Sequence, residues 1–297
     1  MQTIIYLWLY SIALLPMPLL YLLADALYIV AYHIMRYRRD VVSENLRHAF
    51  PEKSESERSK IAREFYRHLA DLVMETIKIL AISSETLNKR CTIADNEDSR
   101  HYFTNNKGAL LFTAHFGNWE WAGTVVGLQT QRPFQVIFRK LHDKNFDYMM
   151  RKIRGRFGNE PVPMDLAFKK IVEKRDQGVV TAFVADQKPL HIHLAYWTPL
   201  MNRLAPFYTG PEKIARKLKV PVYFGRIHKS ARGRYETHLE LMTQDASLLP
   251  ENALMEMYAR KLEEALYTQP HTWLWSHRRW KHTYDPAWQK RPDIAAA

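Results

Sequence analysis

Apolar residues dominate positions 4 to 35 ("IIYLWLYSIALLPMPLLYLLADALYIVAYHIM"), a run broken by Pro16, Pro18 and the single charge of Asp25. A helical membrane span needs roughly 20 apolar residues. Each side of the prolines falls short of that, so the pattern predicts one kinked span or two half-inserted helices. A buried hairpin of a soluble protein is the alternative. No charged region precedes the run and no small-residue cleavage site follows it, which disfavours a cleaved leader. The basic segment "RYRRD" comes next, and the positive-inside rule then places the remainder of the chain in the cytoplasm.

A second pattern begins at Ser54. Ser54 and Glu57 have the spacing of a capping box, and Ile61, Phe65, Leu69, Leu72, Thr76 and Ile79 recur at three- and four-residue steps. This predicts a helix over 54–80 with one apolar stripe. Arg58, Lys60, Arg63 and Arg67 fall off the stripe, as an outer face beside anionic lipid would.

From residue 91 the period changes to alternation and short apolar runs. Strands are predicted at 110–114, 134–138, 179–185, 220–228 and 235–242, with "RCTIADNED" contributing a further short one. Helical stretches fall at 118–129, 143–155, 164–176, 210–219 and 250–268. The helix at 210 carries its own start signal in Thr209, Pro211 and Glu212. Strands alternating with helices imply an α/β fold, a mixed and mostly parallel sheet flanked by helices. The expected organisation is an N-terminal membrane-anchoring segment over 1–40 and one α/β domain over 41–297, acting as a unit.

Composition narrows the partners. Lys and Arg number 43 against 31 Asp and Glu, a net charge of +12, which calls for an anionic partner. Nucleic acid fits the charge but not the apolar N-terminus. The lone Cys91 excludes an internal disulfide and a thiolate metal cage, and in its strand it is a poor nucleophile. His191 and His193 have a ligand-like spacing without a third partner, so no metal or cofactor is called for.

The chemistry concentrates in "GALLFTAHFGNWEWAGTVV", residues 108 to 126. Five helical positions rotate a side chain by about 140°, so His115 and Glu120 cannot meet on one straight helix. They can meet if His115 ends a strand, Gly117 makes a tight turn and Asn118 caps the next helix. A carboxylate that takes one imidazole N–H leaves the other nitrogen free to accept a proton. No serine or cysteine adjoins His115 and no G-x-S-x-G elbow occurs, so such a pair would deprotonate a substrate hydroxyl directly. A core histidine bonded to backbone is the plain alternative.

"HFGNWE" is a form of the H-x4-D/E motif of membrane glycerolipid acyltransferases. With "ENLRHAFPEKSESE", "FRKLHDKNFDYMMRKIRGRFG", "FVADQ" and "WLWSHRRWK" in order along nearly the whole chain, the sequence resembles the late lauroyl/myristoyl acyltransferases of lipid A synthesis. That resemblance implies acyl transfer from acyl carrier protein to a hydroxyl of a phosphorylated glycolipid acceptor, at the inner membrane of a bacterium with the catalytic domain facing the cytoplasm. It makes His115 the general base and Glu120 its orienting carboxylate. Arg139, Arg154 and Arg156 would face phosphate or the oxyanion, and Asp186 and Asn118 would line the site. Independently of the resemblance, Arg278, Arg279 and Lys281 around Trp280 form a second cationic substrate-binding set, suited to an interface or to an acidic carrier protein. Where relatives carry a Phe-Phe-Gly turn, this chain has Leu200, Met201 and Asn202. The same reaction on an aminolipid, a glycosylated phospholipid or a lysophospholipid is the alternative.

Overall fold

The computed structural model describes residues 2–105, 107–130 and 132–286. Eleven α-helices are described: α1 (Gln2–Leu14), α2 (Met17–Tyr28), α3 (Arg39–Ala49), α4 (Glu55–Lys78), α5 (Ser84–Arg90), α6 (Glu97–Thr104), α7 (Trp119–Gln129), α8 (Lys144–Gly155), α9 (Ala167–Glu173), α10 (Gly210–Leu218) and α11 (Ala253–Thr268). The strands are β1 (Cys91–Ile93), β2 (Ala109–Thr113), β3 (Phe134–Phe138), β4 (Glu160–Pro163), β5 (Val180–Val184), β6 (Tyr196–Leu200), β7 (Arg203–Phe207), β8 (Val222–Ala231) and β9 (Arg234–Thr243).

Seven strands form one sheet in the order β1-β9-β8-β2-β5-β3-β4, and β6 and β7 form a separate hairpin. All neighbours in the large sheet are parallel except β8 and β9. This is the mixed, mostly parallel sheet expected from the alternating pattern. Strand β2 lies near its centre, and both its faces are buried: Leu110 and Phe112 join the main core, Ala109 and Leu111 a smaller one on the opposite face. Burial on both sides explains why its sequence reads as a continuous apolar run.

The expected strands and helices are present, but α3, α5 and α6 have no counterpart in the sequence reading, and two strand regions differ as well. Segment 187–209, where the pattern predicts no strand, contains the β6–β7 hairpin, and β4 is likewise unpredicted. Prolines hid both, since Pro161, Pro163, Pro199 and Pro206 sit in these strands. Proline is tolerated on edge strands, where a missing N–H breaks no ladder; β4 is the edge of the sheet and β6–β7 has only two strands. The hairpin turns at Met201 and Asn202, both at positive φ (49° and 64°). The Met201 amide donates to Glu263 Oε1 at 2.6 Å. The expected threonine cap at 210 is also absent. Thr209 makes no side-chain cap bond, and the buried Glu212 instead accepts the amides of Asn252 and Met255, capping α11.

The N-terminal run breaks at Pro16 into α1 and α2, and α2 continues through a π-helical segment to Ile34. Met17–Ile34 is long and apolar enough to cross a membrane, yet its inner face joins the main core through Met17, Leu20, Ala24, Tyr28 and Tyr32. The outer side exposes Leu22, Ile34 and Met35, while Ile4, Leu7 and Trp8 of α1 are likewise exposed.

The tip of the β8–β9 hairpin grips this apolar pair. Arg232 donates to Asp71 of α4 at 2.6 Å and to Asp25 of α2 at 2.7 Å. Gly233 stands at φ +67°, and a Cβ there would lie 1.8 Å from the Tyr21 hydroxyl. Gly233→Ala is therefore expected to lower stability by about 1–3 kcal/mol in chemical denaturation. Tyr21→Phe in the same background should recover part of that loss, because it removes the clashing oxygen. An additive double mutant would show that the clash is not the cause.

Candidate active site

Strand β2 ends at Thr113, and the chain then makes the turn Ala114–Asn118 before α7. Gly117 takes φ +58° with Ile227 packed against it, so that a Cβ would approach the Ile227 side chain at 2.5 Å. Asn118 caps α7 by accepting the Trp121 amide at 2.9 Å. The turn is held from one side by the segment after α11: Leu274 N donates to His115 O at 3.0 Å, and Gly117 N donates to Thr272 O at 3.1 Å. The sequence pattern anticipated this strand–turn–helix geometry.

The partner of His115 differs from the expected one. His115 Nδ1 lies 2.6 Å from Asp186 Oδ1, and the other oxygen of Asp186 accepts Trp273 Nε1–H at 2.8 Å. Asp186 follows β5, the parallel neighbour of β2, so the two residues meet at the carboxyl ends of adjacent strands. That is where open α/β sheets place their sites. Burial alone would push the Asp186 carboxyl up, but the His115 charge and bond, joined by Trp273, outweigh it and hold it at about 2. An ionised Asp186 requires Nδ1–H, which leaves Nε2 as the basic nitrogen. His115 Nε2 lies 3.4 Å from Gln187 Nε2, and the Trp119 ring packs edge-on at 5.0 Å.

Glu120 is in the first turn of α7, as expected, but its carboxylate is engaged by Arg154. Arg154 donates through Nη2 at 2.6 Å and Nε at 3.0 Å, and Trp119 Nε1 adds a bond at 3.2 Å. Burial opposes ionisation of both groups, but their mutual attraction prevails, holding the glutamate low and the arginine high. A bidentate guanidinium competes better for a carboxylate than a neutral imidazole does, which is why Glu120 faces α8 while Asp186 holds the histidine.

The remaining predicted residues separate. Asn118 is fully buried, with its side chain spent on Trp121 and Glu75. Arg156 donates to the carbonyls of Ile79 and Ile82 and lines a groove with Tyr6 and Leu80. Of the three arginines that the resemblance turns toward phosphate or the oxyanion, Arg154 is thus held by Glu120 and Arg156 by backbone carbonyls. Arg139 and Arg278 are exposed, and burial together with Lys281, Arg139 and Arg278 lowers the Lys188 ammonium. These cations thus act on Lys188, the chain neighbour of Gln187. Arg279 is the opposite case: fully buried, its guanidinium stacks on Phe207 at 4.5 Å, and none of its nitrogens has a hydrogen-bond partner among the described residues. Burial pushes it down to about 10, against the attraction of Asp186 and Tyr258. Cys91 is buried and its thiol is pushed up to about 12, consistent with a residue of no nucleophilic use.

Sequence reading missed Gln187, Trp273 and Glu75. Gln187 is adjacent to Asp186 in "ADQ", and Trp273 sits in the aromatic block "WLWSHRRWK", so both lay within quoted motifs. Glu75 had only its helical spacing from His68 and Asp71 as a signal.

The fold and site define an α/β protein with a histidine–carboxylate pair at the strand ends and no hydroxyl or thiol bonded to that histidine among the described residues. Residues 2–282 match the family described as bacterial lipid A biosynthesis acyltransferase. The chain is 22% identical over 277 residues to the lipid A biosynthesis palmitoleoyltransferase of Escherichia coli (strain K12), covering 90% of this chain and 86% of that protein. It has the same identity and coverage with the lipid A biosynthesis acyltransferase of Shigella flexneri. The chain belongs to the bacterial lipid A biosynthesis acyltransferase family.

The depressed Asp186 carboxyl has a measurable consequence. Its stabilising contribution is fully present above the unfolded value near 4 and is lost as pH falls toward about 2. That contribution is about 2 kcal/mol. The stability gap between wild type and Asp186→Asn, measured by chemical denaturation, should accordingly shrink as the pH is lowered through this window. A gap that stays constant would show that the carboxylate draws nothing from His115.

Proposed function

We propose that this protein transfers a fatty acyl chain from an acyl carrier protein thioester to a hydroxyl of a lipid A precursor, with His115 as general base. The observation that carries this reading is the orientation of His115: Nδ1 is committed to a buried carboxylate and Nε2 faces the partly exposed side. His115 Nε2 takes the proton of the acceptor hydroxyl as its oxygen attacks the thioester carbonyl carbon. The C–O bond forms and the carbonyl electrons move to oxygen. The tetrahedral oxyanion then collapses, breaking the C–S bond, and the imidazolium returns its proton to the departing thiolate. Arg154, fixed by Glu120, is the cation assigned to the oxyanion. Glu120 thus serves by holding Arg154, and Asp186 takes the orienting role.

The cations Arg139, Lys188, Arg278 and Lys281 suit the anionic surface of a carrier protein or the phosphate of the acceptor. The exposed apolar side of α1 and α2 suits an inner-membrane location, with the basic body on the cytoplasmic side.

Wild type and His115→Ala would be assayed in detergent with a mixed-length acyl carrier protein pool and either a lipid A precursor or a lysophospholipid, and products read by mass spectrometry. Acylation of the disaccharide lipid is expected, with turnover reduced roughly 1,000-fold or more in the variant. Transfer to the lysophospholipid alone would reassign the acceptor, and full activity of the variant would sink the mechanism. Arg278→Glu with Lys281→Glu should raise KM for one anionic substrate with kcat little changed, and flatten the salt dependence of kcat/KM.

A further inference from the structure

We propose that α4 belongs to the catalytic apparatus and that Glu75 is a positioning residue for the turn carrying His115. This inference rests on the acyl-transfer reading for its kinetic test. His68, Asp71 and Glu75 follow one another at three- and four-residue steps, so they share one face of α4. All three are buried. Two of them hold consecutive residues of the turn: His68 Nε2 lies 3.1 Å from Gly117 O, and Glu75 Oε2 accepts Asn118 Nδ2–H at 2.7 Å. Lys229 supports the stripe from β8, approaching His68 at 3.2 Å and Asp71 at 3.5 Å.

The Asn118 amide is fully determined by these contacts. Its oxygen accepts the Trp121 amide, so its nitrogen must be the group that faces Glu75. Glu75 therefore fixes the plane of Asn118. Asn118 in turn fixes the junction between His115 at the end of β2 and Glu120 in the first turn of α7. The remaining valences of Glu75 are filled as well: Tyr21 OH donates to Oε1 at 2.9 Å and Tyr235 OH to Oε2 at 2.8 Å, while Trp121 Nε1 donates to the Glu75 carbonyl at 2.8 Å. Through Tyr21 the same carboxyl reaches α2, whose outer face exposes Leu19, Leu22 and Leu23. The apolar N-terminal pair is thereby wired to the catalytic turn by a chain of two hydrogen bonds, Tyr21 to Glu75 and Asn118 to Glu75.

A buried carboxylate with neutral donors is an expensive way to fill a core, where a well-packed apolar side chain is often as stabilising. What the carboxylate offers instead is geometry: burial pushes Glu75 up to about 7, and in its ionised form it is a pure acceptor that can orient three donors at once.

The test exchanges donor and acceptor. Asn118→Asp keeps the cap on Trp121 and, assayed well above the value of about 7 to which burial pushes Glu75, sets two carboxylates against each other. It is expected to lower kcat roughly 100-fold while KM for either substrate changes less than about threefold. Glu75→Gln alone keeps the Asn118 bond in only one of its amide orientations and should lower kcat by a few-fold. Combining Glu75→Gln with Asn118→Asp restores a donor–acceptor pair in reverse, and kcat should recover to within about tenfold of wild type. Activities are compared per folded molecule, below the unfolding midpoint of every variant in detergent. A full kcat for folded Asn118→Asp, or a loss that Glu75→Gln does not relieve, would overturn the proposal. So would a fall in midpoint with kcat intact, since that is the mark of a merely structural bond.

A second measurement needs no substrate. The rate of carbethoxylation of His115 by diethyl pyrocarbonate, read by peptide mass spectrometry, should change in Asn118→Asp and return in the double variant. This outcome stands even if wild type proves inactive on every acceptor tried, which would defeat the functional reading alone. An unchanged His115 rate in all four proteins would defeat the positioning role.

Discussion

The 2.6 Å contact between His115 Nδ1 and Asp186 commits one ring nitrogen and leaves the other as the proton acceptor that the proposed acyl transfer requires. Much of the remaining structure serves this contact. Strands β2 and β5 run parallel and in register, so their carboxyl ends deliver the two side chains to one place. Trp273 takes the second oxygen of Asp186 and prevents the carboxylate from rotating away. The backbone of residues 272–274 closes over the turn through Thr272 and Leu274, so the C-terminal aromatic block is a wall of the site.

Beside that pair stands a second buried one, Glu120 with Arg154. Each carboxylate has a single cationic or potentially cationic partner, and the two pairs separate positive charge within the site. One sits on a titratable imidazole, whose charge can change during a reaction, the other on a guanidinium, whose charge cannot. The proposed acyl transfer would use both kinds: a proton acceptor that returns its proton, and a permanent cation for the developing negative charge.

Helix α4 connects this centre to the apolar N-terminal helices. Its polar stripe touches the turn that carries His115, while Arg232 and Tyr21 tie the same helix to α2. The N-terminal pair shares the main core with the strands around the site. It is consequently part of the folded body, and α2 is apolar on both sides because one faces that core and the other faces outward.

The periodicity of the chain by itself determined the order of most strands and helices, the capping box at Ser54, and the strand–turn–helix that carries His115 and Glu120. These are local: a pattern of two or 3.6, a capping residue or an early glycine acts over a few positions. The hidden strands β4, β6 and β7 were obscured because their prolines are admissible only on an edge, and being an edge is a property of the whole sheet. Partner choice was likewise beyond the sequence. Asp186 is 71 positions from His115 and Arg154 is 34 from Glu120, so which carboxylate holds the imidazole depends on which strands are neighbours and which guanidinium reaches first. The buried stripe of His68, Asp71 and Glu75 shows the same limit. On a helical wheel His68 and Glu75 fall beside the apolar stripe of Ile61, Phe65 and Leu72, but the wheel gives them no partner, and only the docking of α4 against Gly117 and Asn118 supplies one.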